Sequence, residues 1–117
     1  MESQAKRDQP FFTYVSLTQP HLPTEPNPDF RGKTGNGDWA DMLAEMDYHV
    51  GLMLDAVERS GARDKTIVIF TSDNGPEFFK PWDGWAGPWR GQYFTHLEGG
   101  IRVFSDPLAW QDRGRSN

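Results

Sequence analysis

Three side chains that could do chemistry follow two apolar segments of the chain. His21 comes after Phe11–Leu17, and Asp73 and Asn74 come directly after Thr66–Thr71. An imidazole can donate a hydrogen bond to an anionic oxygen or act as an acid. A carboxylate and an amide carbonyl are oxygen ligands that suit a hard cation such as Ca²⁺ or Mg²⁺. These residue types predict a pocket that holds an oxyanion beside a divalent cation.

The same residues also have an ordinary structural interpretation. Asp73-Asn74-Gly75 is common turn chemistry at the end of a strand, where glycine lets the chain turn sharply. His21 lies among prolines and could be a simple surface loop residue. Asp47 and His49 are interpreted as residues of a helix surface. Both interpretations of the candidate pocket stay open at the level of the residues alone.

The elements that must position these side chains follow from local patterns. Phe11–Leu17 is aromatic and β-branched and predicts a strand, and four prolines within 20–28 then predict a stiff, extended loop. A helix is predicted at about 38–60, with Asp38 as its N-cap and Gly61 as its stop. Its apolar residues recur with helical spacing at Trp39, Met42, Leu43, Met46, Val50, Met53, Leu54 and Val57.

The second apolar segment, Thr66–Thr71, predicts a strand that is buried on both faces. Strand, helix and strand in this order predict an α/β fold with a βαβ unit and parallel strands, followed by a long loop rich in Gly, Pro and Trp. Ligands of parallel sheets bind at the carboxyl ends of the strands, and neighbouring strands lie ~5 Å apart. We therefore expect His21 to face Asp73 and Asn74. Two strands and one helix cannot enclose a core, so the unit is predicted to be part of a larger domain.

Composition restricts the class of protein. The 117 residues allow one domain at most, and the formal charge of −5 disfavours nucleic acid and anionic membranes as partners. No segment is apolar enough over ~18 residues to predict a membrane span, and no leader sequence is recognised. The chain contains no Cys, which excludes disulfides, thiolate metal sites and a Cys-derived nucleophile within these residues.

Five short motifs follow one another along most of the chain. They are Pro10-Phe11-Phe12, His21-Leu22-Pro23, Met46-Asp47 through Val50-Gly51, Ser72-Asp73-Asn74-Gly75-Pro76 and Glu98-Gly99-Gly100-Ile101-Arg102-Val103. In this order and spacing they resemble the sulfatase family. The stretches 32–40 and 89–95 further resemble bacterial arylsulfatases. The resemblance predicts that residues 1–117 are a partial sulfatase domain, matching at about 10–103, with a divergent tail at 104–117 that a frameshift would explain.

The resemblance implies a fold, a reaction and roles for four residues. The family has an alkaline-phosphatase-like α/β fold and hydrolyses sulfate esters, of small molecules or glycans, at a divalent cation that is usually Ca²⁺. By resemblance, Asp73 and Asn74 would be metal ligands, and His21 would be the catalytic residue that contacts the sulfate or the leaving oxygen. Tyr93 stands at a substrate-binding position where many members have Lys. A neutral phenol cannot replace an ammonium on the sulfate, so that contact is lost or supplied elsewhere.

One part of the family's machinery does not occur in this sequence. The family nucleophile is a formylglycine made from Cys or Ser in a Cys/Ser-x-Pro/Ala-x-Arg motif, and neither this motif nor the first pair of metal-binding Asp residues is found. The chain is therefore expected to carry part of the metal- and sulfate-binding site and to be inactive alone.

Two alternatives stay open besides this prediction. One is a fragment of a related hydrolase of phosphate or phosphonate esters. The other is a non-catalytic segment that associates through unpaired sheet edges. The compartment is not assigned, although members of the family are often periplasmic or secreted.

Overall fold

The computed structural model describes residues 9–79 and 82–107. The chain divides into two units, Met1–Thr66 and Ile67–Asn117. The first unit contains helix α1 (Asp38–Arg59) and a 3₁₀ turn (Arg63–Lys65). The elements of the second unit are strands β1 (Ile69–Thr71), β2 (Phe78–Phe79) and β3 (Trp82–Asp83), the short helix α2 (Glu98–Ile101) and strand β4 (Ser105–Pro107). The long helix and the strands thus belong to different units.

Helix α1 confirms the prediction made from its apolar spacing. It begins one residue after Gly37, which occupies the N-cap position with φ 88°, so Asp38 is the first helical residue and not the cap. The helix ends as predicted, because Gly61 adopts φ 72° and donates its N–H to the carbonyl of Glu58 at 3.0 Å. No helix in the described part of the chain has both the length and the apolar character needed to cross a bilayer.

The predicted apolar face of α1 is only partly covered. Met42 and Val57 are buried, with 4% and 8% of their surface exposed, whereas Leu52 is 44% exposed. Two carboxylates, Asp41 and Glu45, are as deeply buried as these apolar side chains. The first half of α1 is therefore packed through polar contacts with the preceding loop as well as through apolar ones.

The strand predicted at Phe11–Leu17 is not formed among the described residues. These residues have no strand assignment, and Phe12 and Tyr14 are 90% and 78% exposed. A strand needs the backbone N–H and C=O groups of a neighbouring strand. The predicted parallel βαβ unit is consequently not formed within residues 9–79 and 82–107, and for the family fold it stays a prediction.

Strand β1 is shorter than predicted and has an unexpected partner. It pairs antiparallel with β4, with Ile69 opposite Pro107 and Thr71 opposite Ser105. The Thr71 hydroxyl donates to the carbonyl of Phe104 at 2.7 Å. Ile69 is 63% exposed, so the prediction of burial on both faces was wrong. The partner strand comes from the tail for which the sequence predicted divergence.

The region predicted as one long loop contains regular structure. Strands β2 and β3 pair antiparallel, with Phe78 opposite Asp83 and Phe79 opposite Trp82. Helix α2 then forms a single turn at the Glu-Gly-Gly motif. This turn matters for the candidate site because it packs against the segment that follows β1.

Candidate functional site

His21 lies exposed in the proline-rich loop of the first unit. Its backbone N–H donates to the carbonyl of Thr18 at 3.0 Å, and its Nδ1 lies 2.7 Å from the carbonyl oxygen of Leu22. A carbonyl can only accept, so Nδ1 carries a proton. Nε2 is then an acceptor in the neutral ring and a donor in the imidazolium. The loop therefore presents one ring nitrogen for acid–base or hydrogen-bonding chemistry.

His21 is one of the residues that line an open cleft of ≈ 580 Å³. Its lining residues are Leu17, Thr18, Gln19, His21, Leu22, Pro23, Glu25 and Met42. Four of these eight side chains are apolar and four are polar or charged. His21 thus lies in the first unit at the edge of an open cleft of mixed polarity.

Asp41 is a buried carboxylate that the sequence interpretation missed. Its Oδ1 accepts the N–H and the hydroxyl of Thr34 at 2.8 and 2.7 Å, and its Oδ2 accepts the N–H of Gly32 at 2.6 Å. The hydrogen bonds from the Thr34 hydroxyl, Thr34 N–H and Gly32 N–H lower the pKa of Asp41, with a small contribution from Arg31, while burial acts against them. Asp41 therefore fastens the end of the loop to α1 in its ionised form.

Glu45 is the second buried carboxylate and lies one turn further along α1. Its Oε2 accepts the N–H of Asn27 at 2.8 Å, and its Oε1 lies 3.4 Å from Nε2 of Gln19 and 3.5 Å from Nε2 of His49. The spacing of four residues from Asp41 to Glu45 to His49 is the signal that could have revealed a polar stripe on the helix. Asp47, which sequence reasoning considered instead, is exposed.

The Asp-Asn-Gly motif forms a turn directly after β1 in the second unit. Asp73 is exposed and Asn74 is half-buried. The Asn74 side-chain amide donates to the carbonyl of Gly75 at 2.9 Å, and the Ser72 hydroxyl donates to the Asn74 carbonyl at 3.1 Å. With its Nδ2 engaged in this way, Asn74 keeps its amide oxygen as the side-chain atom that can accept.

Close backbone packing joins this turn to the Glu-Gly-Gly motif. Gly75 donates its N–H to the carbonyl of Gly100 at 2.9 Å, and a Cβ on Gly75 would lie 2.0 Å from the carbonyl oxygen of Gly99. Gly99 in turn donates to the carbonyl of Arg90 at 2.7 Å. Position 75 therefore needs glycine because the two backbones touch, whereas a Cβ on Gly99 or Gly100 would lie 2.3 Å from the carbonyl oxygen of Gly91 or Gln92. The contact at Gly75 holds the backbone two residues after Asp73.

Tyr93 belongs to the same unit as this turn. Its N–H donates to the carbonyl of Pro76 at 2.9 Å, and its ring centroid lies 4.0 Å from that of Phe94. The Tyr93 side chain is half-buried, and Phe94 adopts a left-handed φ of 64°. The backbone of Tyr93 is thus tied to the residue that follows the Asp-Asn-Gly turn.

The predicted site residues fall into two groups. Asp73, Asn74 and Tyr93 lie in the second unit, and His21 lies in the first. The pocket predicted to join His21 to Asp73 and Asn74 stays a prediction, because its members belong to different units. Within residues 9–79 and 82–107, no three His, Asp or Glu side chains cluster as they would around a metal ion.

Comparison with known proteins gives a consistent result. The model of the Sulfatase family matches residues 1–111. An N-acetylgalactosamine-6-O-sulfatase of Bacteroides thetaiotaomicron is 33% identical over 107 residues, which cover 83% of this chain and 21% of that protein. Arylsulfatase A of Homo sapiens is 36% identical over 103 residues, covering 87% of this chain and 20% of that protein.

The match concerns a limited part of those proteins. Steryl-sulfatase of Rattus norvegicus is 36% identical over 103 residues, which cover 83% of this chain and 18% of that protein. This chain therefore spans about a fifth of the length of the curated relatives it matches. No solved structure matches it significantly. The family model and these identities show that the chain belongs to the sulfatase family, whose members have an alkaline-phosphatase-like α/β fold.

Proposed function

We propose that this chain is the segment of a sulfate ester hydrolase that binds the sulfate group and contributes ligands to a divalent cation. The observation that carries the proposal is the packing of the Asp-Asn-Gly turn on the Glu-Gly-Gly turn. In this packing the N–H of Gly75 donates a hydrogen bond to the carbonyl of Gly100 at 2.9 Å. Asp73 is exposed, and the backbone of its turn is held by the contact between Gly75 and Gly99. A ligand on a fixed backbone can hold a cation without first being ordered.

The donor chemistry of this turn fits a hard cation. Asp73 offers a carboxylate, and Asn74 offers the amide oxygen that its own hydrogen bond to Gly75 leaves able to accept. We propose that these two side chains are part of the ligand set, which for Ca²⁺ comprises about 6–8 oxygens. The remaining ligands would come from other segments of the longer protein. When bound, such a cation would polarise the sulfate oxygens and offset the charge that develops in the transition state.

His21 and Tyr93 are proposed to contact the substrate. The Nδ1 proton of His21 is engaged by Leu22, so Nε2 would donate to a sulfate oxygen or to the leaving oxygen when the ring is protonated. Tyr93 offers a neutral hydroxyl, which can donate one hydrogen bond to sulfate but supplies no positive charge. The positive charge that a lysine would supply must therefore come from elsewhere.

The substrate class is proposed from the relatives' names and the cleft. The matched proteins are named for N-acetylgalactosamine 6-sulfate, aryl sulfates and steryl sulfates. The cleft beside His21 is lined by apolar and polar side chains in equal number, with Gln19 and Glu25 among the polar ones. We infer a sulfate ester of a small molecule or a glycan. A phosphate or phosphonate ester is the less favoured substrate, because the matched relatives named here are all sulfatases.

Calcium binding tests the metal proposal directly. Titration calorimetry of the 117-residue chain with CaCl₂ should show weak binding, on the order of 1 mM as in weak protein sites. Asp73→Asn should weaken it at least about tenfold, because it removes the charged ligand. Asp47→Asn removes the same charge from an exposed helix position and should change nothing. Equal affinity in all three proteins, or no binding at all, would refute the proposal.

We further propose that the chain does not turn over substrate by itself, because it has no Cys and no Ser in the motif that yields the nucleophile. An aryl sulfate assay should give the same background rate for the wild type and for Asp73→Ala. A higher rate for the wild type would overturn this part of the proposal and would point to another nucleophile in these residues.

Exposed apolar side chains support the alternative of an associating segment. Phe12 is 90% exposed and Ile67 is 86% exposed. Large apolar side chains that are exposed together often mark a surface that another segment or protein covers. We infer that in the longer protein Phe11–Leu17 and Thr66–Thr71 join a parallel sheet that covers them. Size-exclusion chromatography tests this inference: the chain should self-associate, whereas a stable monomer would contradict it.

A further inference from the structure

One buried carboxylate of α1 contacts the proline-rich loop on both sides of His21. Glu45 is 6% exposed, and its two oxygens accept from Asn27 N–H at 2.8 Å and from Gln19 Nε2 at 3.4 Å. Gln19 lies two residues before His21, and Asn27 lies six residues after it. The two ends of the segment that carries the imidazole are therefore held by a single side chain.

Few other hydrogen bonds restrain this segment among the described residues, although Pro26 within it is buried. Its described backbone hydrogen bonds are local, from His21 N–H to Thr18 and from Glu25 N–H to Pro23. Proline has no N–H to donate, so the loop cannot build a ladder of its own. A buried carboxylate, for its part, is stable only while its donors are in place. The hydrogen bonds that satisfy the buried Glu45 are therefore also hydrogen bonds that hold this loop.

The helix itself orients the Glu45 side chain. Nε2 of His49, one turn further along α1, lies 3.5 Å from the same Oε1 that faces Gln19. The His49 ring is held in turn by the rings of Phe30 and Tyr48, with centroid distances of 6.3 and 5.6 Å. Glu45 is therefore directed toward the loop by contacts that do not involve His21.

We propose that Glu45 is a positioning residue for His21. It ties Gln19 and Asn27 to α1 and so determines where the imidazole stands in the cleft that both Gln19 and His21 line. The inference rests on the proposed contact of His21 with sulfate, because a hydrogen bond to a developing charge requires a donor held within about 0.5 Å of its place. Asp41 fastens the far end of the loop at Gly32, outside the segment that carries the imidazole.

Hydrogen exchange of the 117-residue chain, read residue by residue by NMR, tests the inference. Glu45→Gln keeps the side-chain volume but leaves one acceptor oxygen for the two donors of the loop, Asn27 N–H and Gln19 Nε2. The amides of His21 and Asn27 should exchange about tenfold faster, while that of Leu54 in the second half of α1 keeps its rate. Unchanged rates at 21 and 27 would refute the proposal. A uniform rise that includes Leu54 would also refute it, because Glu45 would then only stabilise the whole unit.

A second variant covers the case in which Glu45→Gln does not fold. Gln19→Met removes the loop donor and leaves the bond between Glu45 and Asn27 in place. It should speed exchange at His21 and not at Asn27, and a His21 rate equal to the wild type would contradict the inference. Asp47→Asn, on the exposed side of the same helix, should leave both rates unchanged.

Inorganic sulfate separates this inference from the proposed function. Sulfate should shift the ring resonances of His21 in the wild type, and Glu45→Gln should need about tenfold more sulfate, because a smaller fraction of the loop is competent to bind. If Glu45→Gln alters exchange at His21 but sulfate leaves the wild-type ring unchanged, positioning by Glu45 stands and the sulfate contact fails. If the wild type and Glu45→Gln both bind sulfate, and with equal affinity, positioning by Glu45 is refuted.

Discussion

Replacement of Gly75 by alanine tests whether the two glycine motifs are held together by backbone contact. An added Cβ would lie 2.0 Å from the carbonyl oxygen of Gly99, 3.0 Å from its carbonyl carbon and 3.1 Å from that of Gly100. These are backbone atoms, so they cannot swing away as the end of a flexible side chain could. The turn must therefore separate from α2.

The expected loss of stability in Gly75→Ala has two parts. Overpacking of a tight contact costs about 1–3 kcal/mol, and the N–H of Gly75 would lose its 2.9 Å bond to Gly100, which contributes about 1 kcal/mol. Together we expect Gly75→Ala to lower the free energy of unfolding of the second unit by roughly 2–4 kcal/mol. Urea titration followed by Trp fluorescence would measure this loss of stability. Faster amide exchange at Gly99 would show that the loss arises at the contact between the two motifs.

Gly51→Ala is the matched control. Gly51 lies within α1, and a Cβ there would meet no atom within 4 Å. Alanine should therefore stabilise the helix by about 0.5–1 kcal/mol. The two substitutions add the same methyl group and should act with opposite sign. If Gly75→Ala changed stability by less than about 0.5 kcal/mol, as a surface substitution does, the proposed contact between the motifs would be wrong.

Two further predictions concern Asp41 and Tyr93. The pKa of Asp41 is lowered from 3.8 in the folded chain, so its contribution to stability is complete above pH 3.8 and is lost as the pH falls through the folded-state value. The thermal midpoint of Asp41→Asn should lie below that of the wild type at pH 7 and approach it below pH 3.8. A difference in midpoint that stays constant over this pH range would contradict the lowered pKa of Asp41. Tyr93→Lys should tighten binding of inorganic sulfate to the chain about tenfold by adding a cation, whereas Tyr93→Phe should weaken it. Calorimetry that finds Lys and Phe equivalent would remove Tyr93 from the site.

Helix α1 could be predicted because its information is local. Apolar residues every three or four positions and a glycine stop act over one or two turns, and the helix satisfies its own backbone groups. Strands lack this property. The segment at Phe11–Leu17 has strand-like residues but no described partner, while Ile69–Thr71 pairs with Ser105–Pro107, more than thirty residues away. Composition alone could not select that pairing, because a strand's backbone groups are satisfied only by another segment.

The candidate site likewise has features that are local in sequence and features that depend on distant residues. The sequence by itself determined the residue types, namely the imidazole of His21, the acid and amide at Asp73 and Asn74, and the glycines that follow, together with the family that this order indicates. Only the tertiary structure decided that Glu45 is buried and holds the loop, and that the Asp-Asn-Gly and Glu-Gly-Gly backbones touch. The physical reason is that buried polar groups and close backbone contacts depend on partners distant in sequence, and only the fold brings these together.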